Sequence, residues 1–269
     1  MNTVNKKGFI NINNAEIYYE VAGEGEPLIL LHGVPLDSRM WEPQMNALSK
    51  LNFQVIRFDI RGLGKTIDPG LPFALYDDIH ALLQKLDIQC AYCVGVSFGC
   101  YASVEFALAY PDMVKGLILA CPGGFTPTSE DRQLLLNNLY EELSSGNIEK
   151  ALDINLHLFL DGPNQKIGRV QLTREWLKEI YRDIFSKSAN PIKPTWLEPH
   201  PSERLAEVKV PTLVVSGELD HPDFIHTANI LVTNIPNATH LTLKKSAHFP
   251  NIDSPNEFNE IVVSFLKNN

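Results

Sequence analysis

Gly95-Val96-Ser97-Phe98-Gly99 stands between an apolar, strand-like run (Ala91 to Val96) and an apolar, helix-like one (Tyr101 to Ala109). A serine flanked by two glycines fits a sharp strand-to-helix turn, because Gly95 and Gly99 leave room where a Cβ would collide with neighbouring backbone. Its hydroxyl then stands clear of the sheet edge.

The flanking sequence repeats the same alternation. Phe9 to Asn13 and Ala15 to Val21 alternate across Asn13-Asn14, which predicts an opening antiparallel hairpin. Leu28 to Leu31 is a continuous apolar run ended by His32-Gly33-Val34-Pro35, as expected of a strand buried on both faces. Helical spacing follows from Ser38 to Leu51, with Met40, Trp41, Met45 and Leu48 on one face. Phe53 to Phe58, Ala91 to Val96 and Gly116 to Ala120 read as further strands, with helices over Ala74 to Leu86 and Phe98 to Ala109. This is the signature of an α/β fold with a mainly parallel sheet and helices on both faces.

After Cys121 the alternation gives way to helical stripes: Leu135, Leu139 and Leu143, then Leu172, Trp176, Ile180 and Ile184. Pro191 to Pro201 punctuates this stretch. We read residues 125–205 as an all-helical cap and residues 1–124 with 206–269 as the core. Phe125, Phe159, Trp176 and Trp196 are the bulky candidates to roof a pocket. Strand patterns return at Thr212 to Val215 and Thr239 to Leu243, with a helix from about Pro222 to Val232 between them and a loop over Lys244 to Asp253. Ser254, Pro255 and Glu257 predict a capping box for a terminal helix that buries Phe258, Ile261, Val262, Phe265 and Leu266.

The bulk properties exclude several partners. A net charge of −9 argues against nucleic acid and anionic membrane surfaces. No signal-peptide core occurs in Met1 to Glu20 and no apolar run is long enough to span a bilayer, so a cytoplasmic location is expected. Four cysteines suggest a reducing compartment, and Cys90-Ala91-Tyr92-Cys93 reads better as core thiols than as a redox or zinc motif. Neither a metal nor a cofactor is called for.

A serine hydroxyl needs a base, and the base needs an orienting group. Both belong on loops at the carboxyl-end rim of the sheet, where Ser97 sits. His80 and His226 fall in helical patterns, His240 in a strand pattern, and His157 and His200 in the insertion. His32 adjoins a loop better suited to supplying a backbone donor, which leaves His248 as base. Asp220, just beyond the Thr212 to Val215 strand, is the favoured acid, with Glu218 and Asp223 as rivals. The backbone N–H groups of Phe98, at a helix start, and Val34, after Gly33, are placed to hold a developing oxyanion. One such donor is typically worth about 3 kcal/mol.

His32 to Pro35, Asp59-Ile60-Arg61-Gly62-Leu63-Gly64, Gly95 to Gly99, Gly217 to Asp220 and Ala247-His248-Phe249-Pro250 together resemble the α/β-hydrolase superfamily. The resemblance spans Phe9 to Leu266 and implies an eight-stranded sheet with a helical cap inserted after the sixth strand. His32 through Trp41 is similar to the branch of 3-oxoadipate enol-lactonases and small carboxylesterases. Ala247 stands where family members usually carry glycine, and Cys100 where a second small residue is common.

The expectation is hydrolysis of a small carboxylic ester or lactone through an acylated Ser97. The alternatives are C–C bond hydrolysis of ring-cleavage products, cofactor-free perhydrolase (haloperoxidase) chemistry, and a slow-turnover ligand sensor. Serine at the elbow speaks against haloalkane dehalogenases and epoxide hydrolases, which use aspartate there. Arg39 is a candidate to bind a substrate carboxylate near the oxyanion loop.

Overall fold

The continuous apolar runs divide their side chains between two faces with the period of two that a strand imposes. In β3 (Glu26–Leu31), Ile29 and Leu31 enter one buried cluster, while Leu28 and Leu30 enter the other. Cys93 and Val94 of β5 (Ala91–Val96), Leu117 and Ile118 of β6 (Val114–Ala120), and Val214 and Val215 of β7 (Thr212–Gly217) split the same way. The computed structural model describes residues 4–186 and 194–269.

With β1 (Val4–Ile12), β2 (Ala15–Ala22), β4 (Phe53–Phe58) and β8 (Ala238–Leu243), these strands form one eight-stranded sheet in the order β1-β2-β4-β3-β5-β6-β7-β8. β1 with β2 and β2 with β4 pair antiparallel; the other pairs are parallel. Asn13 and Asn14 turn the first hairpin at φ +46° and +67°, a region asparagine tolerates.

Helices α2 (Leu75–Lys85), α3 (Phe98–Ala109) and α7 (Pro222–Asn234) pack into the first cluster, and α1 (Glu42–Leu48) and α9 (Pro255–Asn268) into the second. The stretch from Ser38 begins as a 3-10 turn (Ser38–Trp41), where Asp37 caps the Arg39 N–H, before α1 takes over. Cys93, Cys100 and Cys121 are buried free thiols, and burial pushes each well up from its ordinary range. Among the described residues no helix is long and apolar enough to cross a membrane.

Between β6 and β7 the described chain is helical: α4 (Glu130–Ser144), α5 (Ile148–Leu156), a π-type turn (His157–Asp161) and α6 (Arg174–Ser186). Pro191 lies outside the described residues. Two expectations are corrected. Leu172 precedes α6 and is 98% exposed, so the second stripe begins at Trp176. Ser254 makes no capping bond; its hydroxyl instead accepts from Ser246 Oγ at 2.8 Å, and a short helix, α8 (Pro250–Asp253), occupies part of the expected loop.

Two buried polar contacts tie loops to this frame. Arg61 meets Asp78 in a fork, with Nε to Oδ2 and Nη2 to Oδ1 both at 2.7 Å, and both side chains are buried. Arg61 Nη2 also donates to the carbonyl of Asn13, so the loop after β4 is joined to the first hairpin and to α2. Farther along, Thr195 N–H donates to the Phe73 carbonyl and Leu197 N–H to Glu105 Oε1, at 2.7 and 2.8 Å. The second bond pins a strap of chain against α3.

Asp78→Asn leaves Arg61 without its counter-charge in the interior and should cost about 3–5 kcal/mol in urea unfolding. A loss below about 1 kcal/mol would show that the pair is dispensable. Burial raises the Glu105 carboxyl from 4.5 to about 7. The folded state therefore holds this proton up to higher pH than the unfolded chain, and stability from this group is full below pH 4.5 and lost as pH rises through about 7. Glu105→Gln should flatten that part of the stability profile in thermal melts from about pH 4.5 to 8.

Candidate active site

The strand order reverses at β3 and β5: the chain moves from β3 to β4 on one side, then returns to place β5 on the other. In parallel sheets, such a switch point opens a crevice at the carboxyl ends of the strands. Leu31 pairs with Gly95, so His32-Gly33-Val34 and Ser97 leave the sheet side by side.

Ser97 has φ +56° and ψ −116°, a strained conformation for a residue with a Cβ. The adjoining glycines explain why it is reached. A Cβ on Gly99 would lie 2.0 Å from the Leu31 carbonyl oxygen, and one on Gly95 would lie 2.4 Å from the Gly99 backbone. Ser97 N–H donates to the Ala120 carbonyl, and its carbonyl accepts from Cys100 and Gly123 N–H. The turn is thus held by β6 as well as by α3.

The His32-Gly33-Val34 loop, the expected source of an oxyanion donor, is held in place by buried polar groups. His32 is buried, its Nδ1 lies 3.0 Å from the Gly33 carbonyl, and its Nε2 accepts from Ile60 N–H. That arrangement needs a neutral ring protonated on Nδ1, and burial lowers the His32 pKa accordingly. Asp59 completes the support, accepting from Ser38 and Lys65 N–H. Gly33 comes so near the elbow that a Cβ there would stand 3.1 Å from Ser97 Cβ. Neither Val34 N–H nor Phe98 N–H donates to another described group, as expected of a loop amide and the first amide of a helix.

His248 and Asp220 meet in the interior. Nδ1 of His248 lies 2.8 Å from Asp220 Oδ2, and both side chains are almost wholly buried. The other carboxylate oxygen accepts from His221 N–H at 2.7 Å. His248 is placed by its own N–H, which donates to the Phe159 carbonyl. Glu218 is exposed, and Asp223 is engaged by Ser129 N–H, so of the three acids only Asp220 reaches the imidazole. Phe224 lies near both His248 and Ser97: its ring centre is 3.8 Å from the His248 ring, and a Cβ on Gly123 would stand 3.3 Å from Phe224 Cε1 and 3.5 Å from Ser97 Oγ.

The aromatic candidates separate. Phe159 covers His248 at 5.1 Å between ring centres. Trp196 lies edge-on to Phe98 and Tyr101 and is 42% exposed, and Phe125 packs on Tyr101 in the core. Trp176 packs against the second cluster on α6. Arg39 is already paired: its guanidinium is bound by Asp37 at 2.6 Å and Asp183 at 2.7 Å, which leaves it poorly suited to a substrate carboxylate.

Other residues of the site escaped sequence reasoning. Phe224 is one: attention to bulky residues fell on the insertion, although the first turn of α7 follows Asp220 directly. His221 is another; the elimination above passes over it, and it caps α7 by accepting from Asp223 N–H. Cys121 is the third. Its Sγ lies with ligand atoms of Asp220 and His248 inside 4.8 Å, a grouping able in principle to hold a metal. Burial and then the Asp220 charge keep that thiol neutral, and it donates to the Ala247 carbonyl. A neutral thiol suits a hydrogen-bonded wall better than a thiolate ligand.

The chain is 29% identical to the 2-hydroxy-6-oxononadienedioate/2-hydroxy-6-oxononatrienedioate hydrolase of Comamonas testosteroni, over 99% of this chain and 95% of that protein. It superposes on bromoperoxidase from Bacillus anthracis with a TM-score of 0.80 and 26% identity, covering 97% of this chain and all of the other. The enol-lactonase from Burkholderia xenovorans LB400 shares the fold, with a TM-score of 0.79 at 23% identity and coverage of 97% and 100%. The family model of the alpha/beta hydrolase fold matches residues 26–255, through every part of the site described above, and the chain belongs to that family.

Proposed function

We propose that this hydrolase cleaves small carboxylic esters or lactones through an acyl-enzyme on Ser97. The observation that carries the reading is the buried 2.8 Å contact of Asp220 with His248 at the same rim as a serine held in a left-handed turn. Nδ1 of His248 is kept protonated by Asp220, so Nε2 is the basic nitrogen available to the serine hydroxyl. Ser97 Oγ attacks the carbonyl carbon while His248 takes its proton, and Val34 and Phe98 N–H stabilise the oxyanion. His248 then returns the proton to the leaving alkoxide, which for a lactone stays tethered to the acyl group. Water, activated by the same imidazole, releases the acid and restores Ser97. We read residues 125–205 as a cap, from which Phe159 reaches His248 and Trp196 reaches Phe98.

A second reading has its own support. The relative from Comamonas testosteroni is named a hydrolase of 2-hydroxy-6-oxononadienedioate, in which C–C cleavage is the reaction we read, and it aligns with nearly the whole of this chain. The same acid, base and oxyanion donors would serve there, with a carbon leaving group taking the proton.

A panel of p-nitrophenyl esters, lactones and a vinylogous diketone on the purified protein separates the two. For the ester reading, Ser97→Ala should abolish turnover and the acyl adduct seen by mass spectrometry on Ser97. Asp220→Asn should lower kcat by a factor on the order of 10⁴, because the imidazole then adopts the wrong tautomer. Glu218→Gln should leave kcat as it was. Ester cleavage that survives in Ser97→Ala would sink the proposal.

A further inference from the structure

Two backbone pins hold the end of the insertion against the core, and Trp196 lies between them. On one side Thr195 N–H donates to the Phe73 carbonyl at 2.7 Å, and on the other Leu197 N–H donates to Glu105 Oε1 at 2.8 Å. Trp196 is thereby laid edge-on to the rings of Phe98 and Tyr101, at 5.9 and 5.3 Å between ring centres. It stays 42% exposed, so it rests on the core rather than forming part of it. Phe98 follows Ser97 directly and opens α3; Glu105 lies farther along the same helix and is buried. Glu105 Oε2 is buried without a hydrogen-bond partner, and among the described residues no cation pairs with this carboxyl. Tyr76 of α2 and Tyr101 of α3 stand near it, with Glu198 and His200 of the strap also beside Tyr101. The remaining charged groups on the neighbouring elements are engaged elsewhere: Asp77 with Tyr110, His80 stacked on Tyr110, Lys115 of β6 with Glu26 of β3, and Arg204 with Glu207. Ionised in place, Glu105 would exchange water for a single N–H, so burial favours its neutral form and holds its proton up to about pH 7.

We propose that Glu105 is a positioning residue for the pocket: while neutral it keeps Trp196 on Phe98, and on ionising it lets the strap lift, so that room beside the nucleophile grows. The movement of the strap is independent of the serine-hydrolase reading, and its effect on substrate rests on that reading. Lifting lets water reach the carboxylate, which returns the group to its ordinary range near 4.5. The lifted strap therefore binds the Glu105 proton less tightly than the closed one, so lifting becomes easier as pH rises from about 4.5 and levels off above about 7. Between about pH 5 and about pH 8 the lifting equilibrium should rise roughly 50- to 100-fold. The Thr195 pin joins two backbone groups, carries no titratable partner, and remains as the hinge.

Amide hydrogen exchange reads the lifting without substrate. In the unmodified protein the protection of Leu197 N–H, corrected for the intrinsic exchange rate, should fall roughly 50- to 100-fold from about pH 5 to about pH 8, while that of Val94 N–H in β5 should not. Glu105→Gln keeps an acceptor for Leu197 N–H and loses the titration, so protection should hold its acid-side value throughout. Glu105→Ala should leave it low throughout. A carboxyl that only contributed to stability would not separate these two variants by their pH profiles. The effect on the pocket is read as the ratio of kcat/KM for p-nitrophenyl benzoate to that for p-nitrophenyl acetate, in which the titration of His248 cancels. That ratio should rise over the same pH range, stay flat in Glu105→Gln, and be raised at every pH by Trp196→Ala. Leu197 protection that does not change with pH, or that falls equally in Glu105→Gln, overturns the proposal, as does a constant ester ratio while Leu197 opens. Failure of the hydrolase reading looks different: neither ester would be cleaved at any pH, whatever Leu197 exchange shows.

Discussion

The site depends on one close approach, that of the Gly99 backbone to the end of β3. With a Cβ at position 99 only 2.0 Å from the Leu31 carbonyl, no other residue lets α3 start there. That contact brings the first amide of α3, the serine before it and the loop after β3 to one point. The chemistry proposed for the site, from proton transfer to oxyanion stabilisation, presumes this geometry. The strain in Ser97 is sustained by β5, β6 and α3 together, whose apolar side chains are buried in the two core clusters.

Around that point the polar interior is built as supports. His32, Asp59 and Ser38 support the loop after β3, and His221 N–H and the Phe159 carbonyl hold Asp220 and His248. Each buried donor or acceptor that is paired removes a way for the site to relax. Gly217 makes a parallel allowance: a Cβ there would strike the Ala247 carbonyl at 2.1 Å, so the acid loop and the base loop can lie against each other. Alanine at 247 is accommodated because its N–H and carbonyl, rather than its side chain, carry the contacts, to Asp253 and Cys121.

Sequence periodicity made the central strands legible because their burial on both faces leaves long apolar runs. β4, β5 and α3 have the bounds their patterns imply. The elbow and the loops bearing Asp220 and His248 were legible for a related reason: each is a short motif at a strand end, and strand ends share one rim. The capping box at Ser254 misled because a hydroxyl has several possible partners, and Ser246, eight residues back, won. Leu172 misled because a stripe at four-residue spacing does not say where the helix begins.

What the sequence by itself determined is the order of strands and helices, and it singled out Ser97, Asp220 and His248 as candidates, since these rest on local pattern and on chain order. Tertiary structure alone decided which groups surround each cation. Arg39 stands beside the oxyanion loop in sequence, yet Asp183, 144 positions away, neutralises it. Arg132 has no motif at all, yet folding of the insertion lays it over Phe224 beside His248. The physical reason is that a charge is satisfied by whatever lies within a few ångströms, and that neighbourhood is made by packing between segments far apart in the chain.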